Sequence, residues 1–362
     1  MAGLTEALQD TRSGRGRLVM LVGEPGIGKT RITQELASHA QSLGALTLWG
    51  RCFEEQGLPP YWPWVQVLRT YVREADPEQL LVEMGEGAAN IAEIVPEVHH
   101  KLPGLMPFVV PESQEQARFR LFDSVMTFLN EASRTRPLVL LLEDLHWADQ
   151  PSFLLLEFLA REISESRLML VGTYRDVDLS RQHPLSELMG QISRESAFRR
   201  ETLVGLSSSD VGRIVADASG LQPAPELVQA IHAQTEGNPF FVKETVKLLS
   251  DRGELVSERV SGSGDLRVPE GVREVIGQRL NRLSEPCQRI LAVAAVIGRE
   301  FEFNLLQSVA EDSTEEQLLE ALDEAVGAFV IDELPEALER YQFSHALIHQ
   351  SLLAELLASR RV

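Results

Sequence analysis

The sequence predicts an α/β protein: a parallel sheet in the N-terminal half, then an all-helical stretch, then a C-terminal domain of helices and one hairpin. Three observations point there. Short, wholly apolar runs at residues 18–22, 138–142 and 168–171 have the composition of strands buried on both faces of a parallel sheet, and helical patterns separate them. The first run leads at once into a glycine-rich loop and a helix, and the second ends in two adjacent carboxylates. From Leu206 onward the apolar spacing is helical, broken only by a glycine- and serine-rich segment and a late hairpin pattern.

A chain of 362 residues with 44% hydrophobic content can bury real cores in about two or three domains. Its formal net charge of −20 argues against sequence-independent binding to nucleic acid or an anionic membrane, both of which need clustered positive charge. Cys52 and Cys287 are far apart and lack metal-ligand spacing, so the expectation is two ordinary buried thiols in a reducing compartment. No apolar run is long enough to span a bilayer and the N-terminus lacks a leader pattern, which makes cytoplasm the expected location.

In chain order, residues 3–13 predict a short helix carrying Leu4, Ala7 and Leu8, and residues 18–22 the first strand. Gly23-Glu24-Pro25-Gly26-Ile27-Gly28-Lys29-Thr30 follows that strand and precedes a helix beginning near Arg31. This is the context a phosphate-binding P-loop needs. Its glycines let the backbone curl until successive N–H groups face inward on phosphate oxygens, and the helix N-terminus adds partial positive charge. Lys29 would reach the β- and γ-phosphates and the Thr30 hydroxyl would ligate Mg²⁺, with Gly23 through Arg31 forming the nucleotide-binding stretch. A parallel sheet built on such a loop is expected in strand order 5-1-4-3-2.

Gly44 stops the P-loop helix, and residues 45–50 predict the second strand. The stretch 51–64, rich in proline and aromatics, predicts a packed corner of the core in preference to a ligand-stacking box. Helical patterns follow at 64–74, 77–84 and 87–94, then one long amphipathic helix over 113–135 with Phe119, Phe122, Val125, Met126 and Leu129 on its apolar face. Residues 138–142 form the next strand, and Glu143 and Asp144 at its C-terminal tip open into the crevice where parallel sheets bind ligands. Downstream of a P-loop, such a pair is expected to hold hydrated Mg²⁺ and polarise the attacking water. Position after the strand favours Glu143 for the metal and Asp144 for the water; aspartate's shorter reach would reverse them.

His146 and Trp147 predict a packed loop tip, and Asp149 the cap of a helix over 151–163. Residues 167–175 predict a buried strand beside the P-loop strand, which brings Thr173 and Arg175 toward the γ-phosphate. An arginine there senses the terminal phosphate by charge-assisted hydrogen bonds; its alternative is surface pairing with Asp176 or Asp178. A helix at 184–194 and a fifth strand at 201–204 complete the core, 1–205, with its helical insertion at about 51–112. Beyond it come a helical lid at 206–252, a linker or wing-like loop at 253–267, and a winged-helix-like domain at 268–362, with a hairpin at 328–331 and 340–343 and a final helix from Ser344.

These residues taken together resemble a family. The P-loop 23–30, Arg51-Cys52-Phe53 followed by Pro60-Tyr61-Trp62-Pro63-Trp64, the 142–149 segment Leu-Glu-Asp-Leu-His-Trp-Ala-Asp, Gly172-Thr173-Tyr174-Arg175, Gly237-Asn238-Pro239-Phe240-Phe241 and Phe343-Ser344-His345-Ala346-Leu347 are similar to the ATPase region of STAND-class signal-transduction ATPases. The similarity extends to the Orc1-like AAA module of large LuxR-type regulators of the MalT kind, also found beside class III adenylyl cyclase domains. The resemblance implies an ATP/ADP-operated switch with Mg²⁺ and slow hydrolysis, Arg175 as sensor and Pro239 against the adenine. It further implies a regulatory winged-helix arm whose opening drives self-association or engages a protein partner. Alternatives are a DNA-associated AAA ATPase of the origin-loading type and a degenerate, non-hydrolysing scaffold. Glu315, Glu316, Glu320, Asp323 and Glu324 crowd the helix that would enter a DNA groove, which argues against direct DNA binding.

Overall fold

The apolar positions Leu4, Ala7 and Leu8 recur at helical spacing and are buried on one face of the first element, α1 (Ala2–Arg12). The computed structural model describes residues 1–53, 57–105, 113–175, 183–251, 276–277, 280–310, 313–328, 330–334 and 340–359. By contacts the chain divides into two units, one of residues 1–24 with 28–203 and one of residues 25–27 with 204–362.

In the first unit, α1 leads to β1 (Arg17–Val22), α2 (Lys29–Ser42) and β2 (Leu46–Arg51). Between β2 and β3 come α3 (Trp62–Glu74), α4 (Pro77–Met84), α5 (Ala88–Ala92), α6 (Glu97–Lys101) and α7 (Gln114–Thr135). Then follow β3 (Leu138–Glu143), α8 (Gln150–Glu162), β4 (Leu168–Tyr174), α9 (Pro184–Ile192) and β5 (Phe198–Thr202). The five strands form one sheet in the order β2-β3-β4-β1-β5, with every neighbouring pair parallel. Read from its other edge this is the order 5-1-4-3-2.

Strand alternation explains the two layers. Leu18, Met20 and Val22 of β1, with Leu138, Leu140 and Leu142 of β3, join one core with Trp64, Leu68, Phe128 and Leu156. The intervening Val19, Leu21, Val139 and Leu141 join the other with Leu4 and Leu8 of α1 and Leu36 and Ala40 of α2. A period of two therefore sends alternate residues to opposite helix layers, which is why these strands are apolar throughout. The proline-aromatic corner is packed as expected: Trp64 is fully buried, its indole N–H donating to Ser152 O (3.1 Å). The backbone of α3 also lies so close to β2 that a Cβ on Gly50 would sit 2.2 Å from Pro63 O.

In the first unit three expectations need correction and one short helix was not expected. The fifth strand is Phe198–Thr202, three residues earlier than expected: the Leu203-Val204 pair drew the prediction, but Val204 is 79% exposed and pairing with β1 runs from Leu18↔Phe198 to Val22↔Thr202. Phe119 shares the stripe of α7 but is 61% exposed, its ring edge-on to Phe158 at 6.0 Å; a large apolar residue at a rim needs no burial. Asp149 stands at the N-cap of α8, yet its carboxylate accepts from the Tyr61 N–H (3.0 Å) and the Ser152 hydroxyl, tying two loops together with no side-chain cap bond. Short α6 lacked enough residues to show a period.

The second unit begins with α10 (Ser208–Ser219), α11 (Pro225–Thr235) and α12 (Pro239–Asp251), packed through Val211, Val215, Leu227, Ile231, Val242 and Val246. It continues with α13 (Glu285–Ile297), β6 (Glu300–Glu302), α14 (Phe303–Val309), α15 (Glu315–Gly327), β7 (Ile331–Glu333), β8 (Arg340–Phe343) and α16 (Ala346–Ser359). The strands make an antiparallel sheet in the order β6-β8-β7 over Leu291, Leu306, Leu322 and Phe343. The hairpin thus starts at Ile331, later than expected, and gains β6, too short to register as a strand pattern. The segment 253–267, expected as linker or wing, lies outside the described residues.

Candidate functional site at the strand tips

The loop after β1 turns through Gly26 at φ +82° and Gly28 at φ +104°, a left-handed region that disfavours any residue with a Cβ. At Gly28 a Cβ would meet nothing within 4 Å, so the requirement is one of backbone conformation alone. Lys29 opens α2 and is 8% exposed. Its Nζ donates to Gly23 O (2.6 Å) and Glu24 O (3.0 Å), which holds the ammonium over the loop by the loop's own carbonyls. Thr30 follows on the exposed side of the first turn. Arg31, at the end of the expected stretch, points along the helix and pairs with Glu35 at 2.6 Å with its side chain 74% exposed.

The acid pair divides sharply. Glu143 ends β3 and is 2% exposed. Its Oε2 accepts from Nε of Arg51 (2.9 Å) and from Nη2 of the same guanidinium, while Oε1 accepts from Thr33 Oγ1 at 3.3 Å. Asp144 is half-buried, in left-handed backbone at φ +58°, one of the few conformations of this kind that aspartate tolerates. Its N–H donates to Thr173 Oγ1 (3.0 Å), so the hydroxyl of β4 fixes the turn that begins after β3. His146 is 4% exposed, its ring 5.0 Å from that of Trp147, as a packed tip requires. Arg175 is half-buried just past β4; its expected alternative partners Asp176 and Asp178 lie outside the described residues.

In the second unit Pro239 is the first residue of α12 and half-buried. Beside it Asn238 is 2% exposed: its Nδ2 donates to Pro25 O (3.1 Å) and its Oδ1 accepts from Phe240 N–H (3.2 Å). Three residues were therefore missed as candidates: Arg51, Thr33 and Asn238. For Arg51 the available signal was its place just past the predicted second strand, one strand away from the acids. For Thr33 it was the helical spacing of three from Thr30.

Both the buried carboxylate and the loop fit a magnesium nucleotide by donor chemistry. Mg²⁺ takes hard oxygen ligands, usually one or two carboxylates together with phosphate oxygens, and the strand tip and Thr30 offer carboxylate and hydroxyl. Residues 1–171 match the family model described as AAA ATPase domain. This segment is an AAA-type ATPase domain.

The AAA domain is followed by residues 220–257, which match a family model described as a domain of unknown function. Over 367 aligned residues the chain is 24% identical to an uncharacterized protein of Rhizobium meliloti (strain 1021), covering 96% of this chain and 34% of that one. The chain thus spans about a third of the length of the curated relative it matches. Among solved structures, a Walker-type ATPase of Pyrococcus abyssi matches at TM-score 0.59 and 13% identity, over 97% of this chain and 94% of that chain, a likeness of fold. A STAND protein with a tetratricopeptide repeat sensor from Pyrococcus horikoshii matches at TM-score 0.40 and 14% identity, over 96% and 42% of the two chains.

Proposed function

We propose that the chain is an ATP- and ADP-binding switch module that hydrolyses ATP slowly with Mg²⁺. The observation that carries this reading is the strand order. With β4 between β1 and β3, the Lys29 loop, the Thr173–Asp144 turn and the Glu143 carboxylate share one edge of one sheet. That edge is where a parallel sheet takes its ligand.

In this reading the amides of the loop from Gly23 to Thr30 hold the phosphates, and Lys29 leaves its two carbonyl partners for the β- and γ-phosphate oxygens. Bound Mg²⁺ would neutralise charge on the transferring phosphoryl group. Thr30 and Glu143 supply its protein side, and Asp144, held by Thr173, orients the water. Arg175 senses the terminal phosphate and Pro239 packs on the base; both roles rest on the motif resemblance, as do opening of a C-terminal winged-helix-like arm, self-association and a transcriptional or cyclase-type output. Positioning dominates phosphoryl transfer, so a site completed only by a conformational step turns over slowly. No helix among the described residues is long and apolar enough to cross a membrane, and a cytoplasmic setting belongs to the same proposal.

Lys29→Ala tests the reading. Titration with a fluorescent ATP analogue should show binding weakened by about 100-fold, the order expected when charge-assisted bonds worth ~1.5–3 kcal/mol are lost. Unchanged affinity in a folded K29A overturns the nucleotide switch.

A further inference from the structure

We infer that Arg51 is a positioning residue for the metal-side carboxylate: it takes one oxygen of Glu143 so that the other is presented toward the first turns of α2. The inference rests on the proposed role of Glu143.

Four observations carry it. Arg51 is the last residue of the edge strand β2 and lies in register opposite Glu143, the last residue of β3. Its guanidinium sends both Nε and Nη2 to the same oxygen, Oε2, instead of bridging the two. Among the described residues Oε1 has a single long contact, Thr33 Oγ1 at 3.3 Å, and that hydroxyl shares its one proton with the nearer carbonyl of Thr30, the candidate metal ligand (3.0 Å). The arginine's own backbone is pinned from α3: Gln66 Nε2 donates to Arg51 O (2.8 Å) and Gln66 Oε1 accepts from its N–H (3.3 Å).

The asymmetry decides what the arginine does. A carboxylate 2% exposed is stabilised by a cation in contact, and a fork that bridged both oxygens would supply one while occupying the whole group. Here the charge is met at one oxygen, on the solvent side of the edge strand, where the Arg51 side chain is 51% exposed. The second oxygen keeps lone pairs for an aquated cation arriving with the phosphates. Partners that orient a metal-binding carboxylate in this way commonly set metal affinity by about 10- to 100-fold.

The test measures Mg²⁺ affinity rather than turnover. In the full chain, a fluorescent ATP analogue is titrated in EDTA, and Mg²⁺ is then titrated into the protein–analogue complex. Arg51→Gln should leave the EDTA affinity at the wild-type value and weaken apparent Mg²⁺ affinity by about 10- to 100-fold. Arg51→Lys, which keeps the charge but not the two-donor geometry, should fall between the two. Glu143→Gln should lose the Mg²⁺ effect, and adding R51Q to it should cause no further loss, because the arginine acts through that carboxylate. A structural role alone would lower the EDTA affinity too; if R51Q does not fold, R51K carries the test. Mg²⁺ affinity in the folded variant equal to the wild type's, or tighter as for a competing cation, overturns the inference. Wild-type protein that binds the analogue without any gain from Mg²⁺ overturns it together with the role of Glu143, and failure to bind the analogue at all removes the proposed function instead.

Discussion

Cys52 and Cys287 illustrate what burial does to a side chain that no site uses. Both are buried, and burial pushes each thiol up to about 12; for Cys52 the charges of Asp149 and Asp144 add to the effect, and for Cys287 that of Glu324. The thiolate is the reactive form, so at pH 8 neither should be alkylated by iodoacetamide in the native protein, while both should react in denaturant. Mass spectrometry after a timed pulse measures this directly; rapid native labelling would show that one of the two pockets opens. At the same scale, Lys29, Thr30 and the Glu143-Asp144 pair were legible because the loop and the strand tip are each contiguous in sequence. Arg51 was not. Its contact with Glu143 spans 92 residues and exists only because β2 and β3 pair in one register, and that register is decided by which apolar residues face which layer.

Among the elements, β1, β3 and β4 were legible because full burial leaves strands with no polar alternation to confuse, whereas β5 was misplaced. Its residues are half-exposed or exposed, so its sequence Phe-Arg-Arg-Glu-Thr carries none of the apolar signal of the central strands. The late helix α16 offers a pH-dependent contact. His345 Nδ1 accepts from the Leu347 N–H at its start, so Nε2 carries the proton that binds Thr235 O. One turn on, His349 makes a 2.9 Å bond between Nε2 and Ala295 O, and burial holds its pKa below the ordinary 6.5, a shift that Arg299 reinforces by charge and that the bond to Ala295 opposes. The sign follows. A histidine whose folded-state pKa is depressed favours the folded state while neutral, above its unfolded pKa, and that contribution is lost as pH falls through the depressed value. Melting temperature should therefore decline between neutrality and pH 5, and the decline should be shallower in His349→Gln; an identical slope would place the acid sensitivity elsewhere.

For the molecule as a whole, the charge of −20 sets what it can meet. Phosphate neutralisation by Lys and Arg supplies most non-specific affinity for duplex DNA, and α15 carries Glu315 and Glu316 in its first turn. Gel retardation of duplex by the full chain should be absent at low salt, where such binding is strongest; a salt-sensitive shift would revive the DNA-associated alternative. The sheet order was legible from the motifs alone, because a P-loop strand followed by an acid-tipped strand fixes which strand must lie between them. The three-stranded sheet of the second unit was only half legible, since β6 has three residues and its partner β8 lies about forty positions downstream.

Gly50 ties these scales together. Since a methyl group there would press on a carbonyl of α3, any larger residue must push the helix and the edge strand apart. The next residue in the chain is Arg51, and the helix that would be displaced is the one whose Gln66 grips it. A single missing carbon atom three strands away from the strand that feeds the phosphate loop is thus the spacer that aims the guanidinium, and the glycine is as much a part of the acidic tip as the acids themselves.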